Sequence, residues 1–313
     1  MEKENVNNVL VAGAGIMGSS IAQLISMGDM GVTLVDVDQK ALDRAVIRIE
    51  SGLKTMAGFG KMPGDRIPSI LGRIRTSTNL AGMAEKADFV IEAVSEVPEI
   101  KKEVFLQLGK SCPGDTVIAS NTSGLNIFRL ADVPRPERLI IAHFFAPAHI
   151  IPLVEIVPGE ETSTETISLT ACLMDRLGKK TVVMKKFGPG FIVNRIQKAI
   201  GEACFDMIDE GLARPEEIDR AVKLTLGIRL PIIGVMQTFD FQGLDMLLDT
   251  MKNYGKVYSF VEERVNLGHL GVKTSKGIYD YKDRSESEIL KKRDELFLKM
   301  IKYLKDLNAF DPV

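Results

Sequence analysis

VLVAGAGIMG, residues 9–18, decides how the chain is read. Val9 to Ala12 is a short apolar run of strand type. Gly13, Gly15 and Gly18 follow it at GxGxxG spacing, opening an apolar-striped segment that reads as a helix to about Met27. Val32 to Val35 is a second strand and ends in Asp36. Strand, glycine turn, helix and strand make one βαβ unit, the context in which this string carries chemistry. The first glycine permits a tight turn, the second lets the backbone approach a pyrophosphate, and the third lets helix and strand pack closely. The helix start, with Ile16 and Met17 in its first turn, offers unpaired N–H groups to phosphates. Asp36 is placed to accept ribose hydroxyls and repels a 2′-phosphate, so NAD is expected over NADP. The same string also serves FAD, and a glycine turn used only for packing is the plain alternative.

Outward from this unit the pattern repeats. Lys40 to about Met56 is periodic and charged on one face, a long helix. Phe89–Ala93, Val117–Ala119, Leu139–Ala142, Leu153–Val157 and Thr181–Met184 are short β-branched runs separated by helical patterns. Strands alternating with helices predict an α/β, Rossmann-type, doubly wound and mainly parallel sheet. Lys185-Lys186-Phe187-Gly188-Pro189-Gly190 admits no regular element and is read as the boundary, giving domains 1–187 and 188–313. Beyond it the periods are helical. Phe191–Glu210 is closed by Gly211, Pro215-Glu216-Glu217 begins another helix, and Gly243 onward and Glu286–Leu307 supply two more. This second domain is expected to be mostly α-helical, to carry substrate contacts and to pair through apolar faces, so a homodimer is expected.

Composition narrows the classes. The 313 residues suit two domains, and a formal charge of −2 leaves no basic excess for a nucleic-acid partner. With 45% hydrophobic and 26% charged residues the chain is an ordinary globular one. Cys112, Cys172 and Cys204 are scattered, which suits neither a disulfide framework nor a zinc site. No apolar run reaches membrane-spanning length, and MEKENVNN is polar where a leader is basic and then apolar. No membrane partner and a cytoplasmic protein are therefore expected.

Two apolar runs each hold one ionisable residue: His143 in Ile140–Phe145 and Glu155 in Ile151–Val157. A buried, unpaired carboxylate costs roughly several kcal/mol, so Glu155 needs a donor or a cation. Only Ala146 to Ile150 separate the runs, and a His143–Glu155 hydrogen bond satisfies both groups. In such a pair the carboxylate fixes the imidazole tautomer and steadies the imidazolium. Taking a proton from a hydroxyl calls for that arrangement, and spacing alone fits a buried structural dyad equally well. His149 and His269 read as surface or loop residues. No histidines stand at metal-ligand spacing with a carboxylate, so no catalytic metal is expected.

The chain resembles the L-3-hydroxyacyl-CoA dehydrogenases over nearly its whole length. The matching pieces are GAGIMG at 13–18, Asp36, IEAVSE at 91–96, ASNTS at 119–123, His143-Phe144-Phe145, GFIVNR at 190–195, and Lys273-Thr274 ahead of Gly277-Ile278-Tyr279. The resemblance implies His143 as general base and Glu155 as its orienting partner. It implies Ser123 and Asn194 at the positions that hold the substrate oxygen, as catalytic and substrate-binding residues. It places Glu96, Lys101, Ser123 and Lys273 at cofactor-contacting positions around the ribose and nicotinamide. A hydroxyl and an amide suit the oxygen-holding task because they position it without adding charge. On residue type alone, Ser123 could equally cap a turn and Asn194 a helix start.

The chain also departs from that family. Ala146 stands where an asparagine is usual before Pro147, the segment 229–241 lacks the usual Gly-Pro-Phe, and Gly52 stands where a serine contacting coenzyme A is common. Lys54 and Lys61 are left to meet coenzyme A phosphates. The expected function is NAD-dependent, reversible oxidation of a short 3-hydroxyacyl-CoA such as 3-hydroxybutyryl-CoA, within fatty acid metabolism. The alternatives are a dehydrogenase of a non-thioester hydroxy acid or carnitine-like alcohol, and an NAD(H)-binding protein without turnover.

Overall fold

The computed structural model describes residues 6–311, so most of the N-terminal stretch read above for a leader lies outside the described residues. The first three elements are β1 (Asn8–Ala12), α1 (Ile16–Met27) and β2 (Gly31–Val35), as the glycine motif requires. They are followed by α2 (Gln39–Gly58), α3 (Ile67–Leu71), β3 (Ile74–Ser77), α4 (Leu80–Ala84), β4 (Phe89–Glu92), α5 (Pro98–Ser111) and β5 (Val117–Ser120). Then come β6 (Leu139–Phe144), β7 (Leu153–Pro158), α6 (Thr164–Arg176), β8 (Lys180–Val183) and α7 (Val193–Asp209).

The strands form one sheet in the order β3-β2-β1-β4-β5-β6-β7-β8. Alternation along each buried strand feeds two core layers. Val9, Val11, Phe89, Ile91, Ile140 and Ala142 join the layer that holds α1 and α2 side chains such as Ile21 and Leu42. Leu10, Ala12, Val90, Ile118 and Ile141 join the opposite layer with Phe105 and Leu108 of α5. Helices on both faces of the sheet give the doubly wound architecture expected.

Two features of the sheet differ from the sequence reading. β3 was not anticipated: Ile74–Ser77 is a partly exposed edge strand whose polar sequence hides it. β7 runs antiparallel to β6, whereas every other neighbouring pair is parallel. A parallel return needs a crossover of roughly a dozen residues or more, and residues 145–152 are too few.

The chain separates into two compact units, residues 1–199 and 200–313, with the division inside α7. The second unit contains α8 (Pro215–Leu224), α9 (Leu226–Gln242), α10 (Leu244–Asn253), α11 (Ser259–Asn266) and α12 (Glu286–Asp306). Leu244, Leu248 and Val261 form one small core, and Val272, Tyr281 and Ile289 another. The altered segment around residues 229–241 is helical, with Pro231 inside it and a break at Gly234, whose φ is +66°. Asp240, buried, receives the N–H groups of Ile278 and Tyr279 at 2.7 and 2.9 Å and the Tyr281 hydroxyl at 3.0 Å. Among the described residues no single helix is long and apolar enough to cross a membrane.

Candidate active site

The three motif glycines do different work. Gly13 has φ +106°, and a Cβ on it would lie 2.5 Å from the Ala93 carbonyl oxygen. A Cβ on Gly18 would lie 1.8 Å from the Gly13 carbonyl oxygen, so its absence lets α1 start directly against the turn. Around Gly15 a Cβ would meet nothing within 4 Å. Gly13 and Gly18 therefore serve the fold, while the space beside Gly15 leaves its backbone open, as the approach of a pyrophosphate would require. No side chain caps the N-terminus of α1, so its N–H groups remain available to phosphate oxygens.

A cavity of about 970 Å³ opens here, lined by Gly13, Gly15, Ile16, Met17 and Asp36 among others. Asp36 Oδ2 accepts the Ala14 N–H at 2.7 Å and Oδ1 accepts the Asp38 N–H at 3.0 Å. Those contacts fix the carboxylate at the end of β2 and leave lone pairs for a ribose diol. The residues fit a dinucleotide. Arg48, which the sequence reading missed, also lines this cavity, and its Nη2 donates to the Ala14 carbonyl at 2.6 Å. Its signal is faint, a basic residue on a charged helix face.

At the ends of β4 and β5 a charged chain begins in the interior. Glu92 and Lys101 are 0% and 1% exposed and lie 2.6 Å apart. Glu92 Oε2 also accepts the Ser120 hydroxyl at 2.6 Å, and its Oε1 the Val94 N–H at 2.9 Å. Lys101 reaches outward to Glu96 Oε2 at 3.2 Å. Glu96 Oε1 in turn accepts from Thr122 Oγ1 at 2.5 Å, Ser123 N–H at 2.8 Å and Ser123 Oγ at 3.2 Å. Burial raises the Glu96 carboxyl, but Thr122, Lys101 and the Ser123 N–H outweigh it and hold it below its usual range. Asn194, in the first turn of α7, donates from Nδ2 to the Ser123 carbonyl at 3.2 Å. Glu96, Lys101, Ser123 and Asn194 thus form one connected group.

His143 and Glu155 stand directly opposite each other in the antiparallel β6–β7 register. His143 Nδ1 is 2.9 Å from Glu155 Oε2. Glu155, fully buried, accepts the N–H groups of Ile192 and Val193 on Oε1, each at 3.0 Å. These are donors at the start of α7, delivered by the reversal at Gly190 and Phe191, with φ +73° and +52°. Burial pushes the Glu155 carboxyl up; the His143 hydrogen bond and then the two backbone N–H groups outweigh it and hold it below the usual carboxylate range. An ionised Glu155 accepts from Nδ1–H, so the free lone pair of His143 is on Nε2. The rings of Phe145 and Phe191 pack at 4.5 and 5.3 Å from the imidazole and restrict its rotation.

The remaining residues are less tightly held. His149 is half-buried rather than free on a loop: its Nδ1 is 2.8 Å from the Ser20 hydroxyl of α1. Lys54 pairs with Glu50 at 2.7 Å on the exposed face of α2, and Lys61 is exposed. A Cβ at Gly52 would lie 2.4 Å from the Gln23 side-chain oxygen, so the buried Gln23 amide fills the space a serine there would use. Lys273 lies in the second unit and pairs with Asp245 at 2.5 Å.

Comparison with known proteins decides the family. The 3-hydroxyacyl-CoA dehydrogenase NAD binding domain matches residues 8–187, and the C-terminal domain of the same family matches residues 190–281. The chain belongs to the 3-hydroxyacyl-CoA dehydrogenase family. It is 36% identical over 289 residues to a probable 3-hydroxybutyryl-CoA dehydrogenase of Bacillus subtilis, covering 90% of this chain and 99% of that one. It is 31% identical to 5-formyl-3-hydroxy-2-methylpyridine 4-carboxylate 5-dehydrogenase of Mesorhizobium japonicum, covering 88% and 91%. Among solved structures, the 3-hydroxyacyl-CoA dehydrogenase of Archaeoglobus fulgidus superposes with a TM-score of 0.79 at 30% identity, covering 96% of this chain and 99% of that one. This family member is therefore an NAD-dependent oxidoreductase acting on CH–OH groups, and NAD is its cofactor.

Proposed function

We propose that this 3-hydroxyacyl-CoA dehydrogenase family member interconverts a short 3-hydroxyacyl-CoA, such as 3-hydroxybutyryl-CoA, and its 3-ketoacyl thioester, with His143 as the proton-transferring group. The observation that carries the reading is the buried hydrogen bond from His143 Nδ1 to Glu155, itself held by two N–H donors. When bound, the nicotinamide of NAD supplies the hydride acceptor or donor. His143 Nε2 takes the 3-hydroxyl proton as the carbonyl forms. Glu155, ionised and fixed, stabilises the imidazolium that results, and a positioned base of this kind contributes roughly 10²- to 10⁴-fold. Ser123 and Asn194 hold the reacting oxygen, and Glu96, Lys101 and Lys273 contact the cofactor. Ketone reduction returns the proton from His143.

The functional division we favour remains 1–187 for NAD and 188–313 for substrate contacts and association into a homodimer. We place the protein in the cytoplasm, in fatty acid metabolism. Lys54 and Lys61 are the groups left for coenzyme A phosphates.

A second reading, a non-thioester hydroxy acid or carnitine-like alcohol as substrate, is favoured by one observation. The space beside Gly52 is filled by Gln23, and Lys54 is already paired, so the α2 face is changed where family members contact coenzyme A. The relative from Mesorhizobium japonicum carries the name of a pyridine carboxylate dehydrogenase, a substrate without coenzyme A. Comparing NAD reduction on 3-hydroxybutyryl-CoA with that on free hydroxy acids decides between the two. A kcat/KM at least about 10²-fold higher on the thioester is expected; equal or greater turnover of a free acid replaces the first reading with the second.

A further inference from the structure

We propose that Glu92 is a specificity-determining residue that biases the cofactor site toward oxidised NAD by adding one buried negative charge beside the nicotinamide half. Its surroundings fix the charge. All three hydrogen-bond partners of the carboxylate are donors: Lys101 Nζ at 2.6 Å, Ser120 Oγ at 2.6 Å and Val94 N–H at 2.9 Å. The Ser120 oxygen itself accepts the Thr122 N–H at 3.2 Å, which directs its own hydrogen to Glu92. A protonated carboxyl would have to give its hydrogen to a group that is already donating, so Glu92 is ionised.

Lys101 faces two carboxylates and neutralises one. Glu92 and Glu96 lie 2.6 and 3.2 Å from the same ammonium, so the triad carries a net charge of −1, with Glu92 and Lys101 fully buried and Glu96 40% exposed. Its place in the sheet aims that charge. The glycine turn after β1 and Asp36 after β2 would hold the pyrophosphate and adenosine ribose, and the switch point of the strand order would then leave the ends of β4 and β5 to the cofactor's other half. Glu92 and Ser120 are the last residues of those strands, and Ala93 abuts Gly13 closely enough to exclude a Cβ there. The oxidised nicotinamide ring is cationic and the reduced one neutral, so a fixed −1 charge at this end favours the oxidised form. The inference concerns cofactor binding alone and stands whichever substrate the enzyme uses.

Calorimetric titration of the full-length protein with NAD⁺ and with NADH tests it. Glu92→Gln keeps the shape and removes the charge, so the ratio Kd(NAD⁺)/Kd(NADH) is expected to rise about three- to tenfold, mainly through weaker NAD⁺ binding. Ser120→Ala removes a hydrogen bond but leaves the charge, so its ratio stays within about twofold of the wild type. Glu96→Gln removes the other carboxylate at the exposed end of the triad and shifts the ratio the same way; it decides the matter if Glu92→Gln does not fold. A merely structural Glu92 would weaken both ligands in parallel. An unchanged ratio in Glu92→Gln, or in Glu96→Gln if that variant alone folds, overturns the proposal, as does a Ser120→Ala shift as large as that of Glu92→Gln.

Discussion

Glu155 was legible as a residue because a lone carboxylate in an apolar strand demands a partner, and His143 supplies one across the next strand at 2.9 Å. The sequence reading missed Glu92, which ends the apolar run Phe89-Val90-Ile91 and pairs with Lys101, although the same logic would have singled it out. Ser20–His149 was not legible, since its partners are 129 residues apart and neither stands out locally. His149 has a measurable consequence. Burial, and then the charge of Lys179, hold its pKa below the ordinary 6.5. As pH falls below that value the unfolded chain binds a proton that the folded chain resists, so stability decreases until the lowered folded value is passed. Thermal unfolding between about pH 7.5 and 5.5 is therefore expected to show a smaller loss of Tm in His149→Gln than in the wild type. Equal slopes would mean that His149 contributes nothing in this window. In the proposed mechanism Glu155→Gln removes the charge that would steady the imidazolium, and it is expected to lower kcat by about 10²-fold with NADH affinity retained; parallel losses of both would make Glu155 a packing residue.

The strand-turn-helix element is where sequence and fold agree most closely, because each glycine answers a separate steric demand. Gly18→Ala forces a Cβ to 1.8 Å from the Gly13 carbonyl oxygen, and the α1–β1 junction must open. A cost of about 3 kcal/mol or more is expected in denaturant unfolding. Gly15→Ala meets no atom within 4 Å and has φ −68°, ordinary for alanine, so stability is expected to stay within about 0.5 kcal/mol. Its methyl group intrudes on the cofactor instead, and NADH affinity is expected to fall at least about tenfold. Unaltered NADH binding in Gly15→Ala would remove this turn from the cofactor site. Elements read less well where tertiary context overrides local pattern. β3 is polar and becomes a strand only by pairing with β2, and the antiparallel turn of β7 follows from the length of its connection, not from its own residues.

For the whole molecule, alternation of strand and helix made the doubly wound sheet legible, and helical periods made the second unit legible. The helix over Leu226–Gln242 was less so, because Pro231 and Gly234 read locally as interruptions although helix lies on either side of Gly234. Association is a property at this scale. Phe205 and Leu212, each 68% exposed on and just after α7, are apolar surface that a second copy would cover. Sedimentation is expected to give about twice the 34.4 kDa chain mass, and Phe205→Glu to return the single-chain mass; a monomeric wild type would refute the homodimer. The account as a whole rests on proton transfer being separable from cofactor binding. The direct measurement is NADH oxidation with acetoacetyl-CoA alongside NADH affinity, in the wild type and in His143→Ala. The prediction is turnover reduced at least about 10²-fold with NADH affinity within about twofold of the wild type. A variant that turns over at the wild-type rate would contradict it.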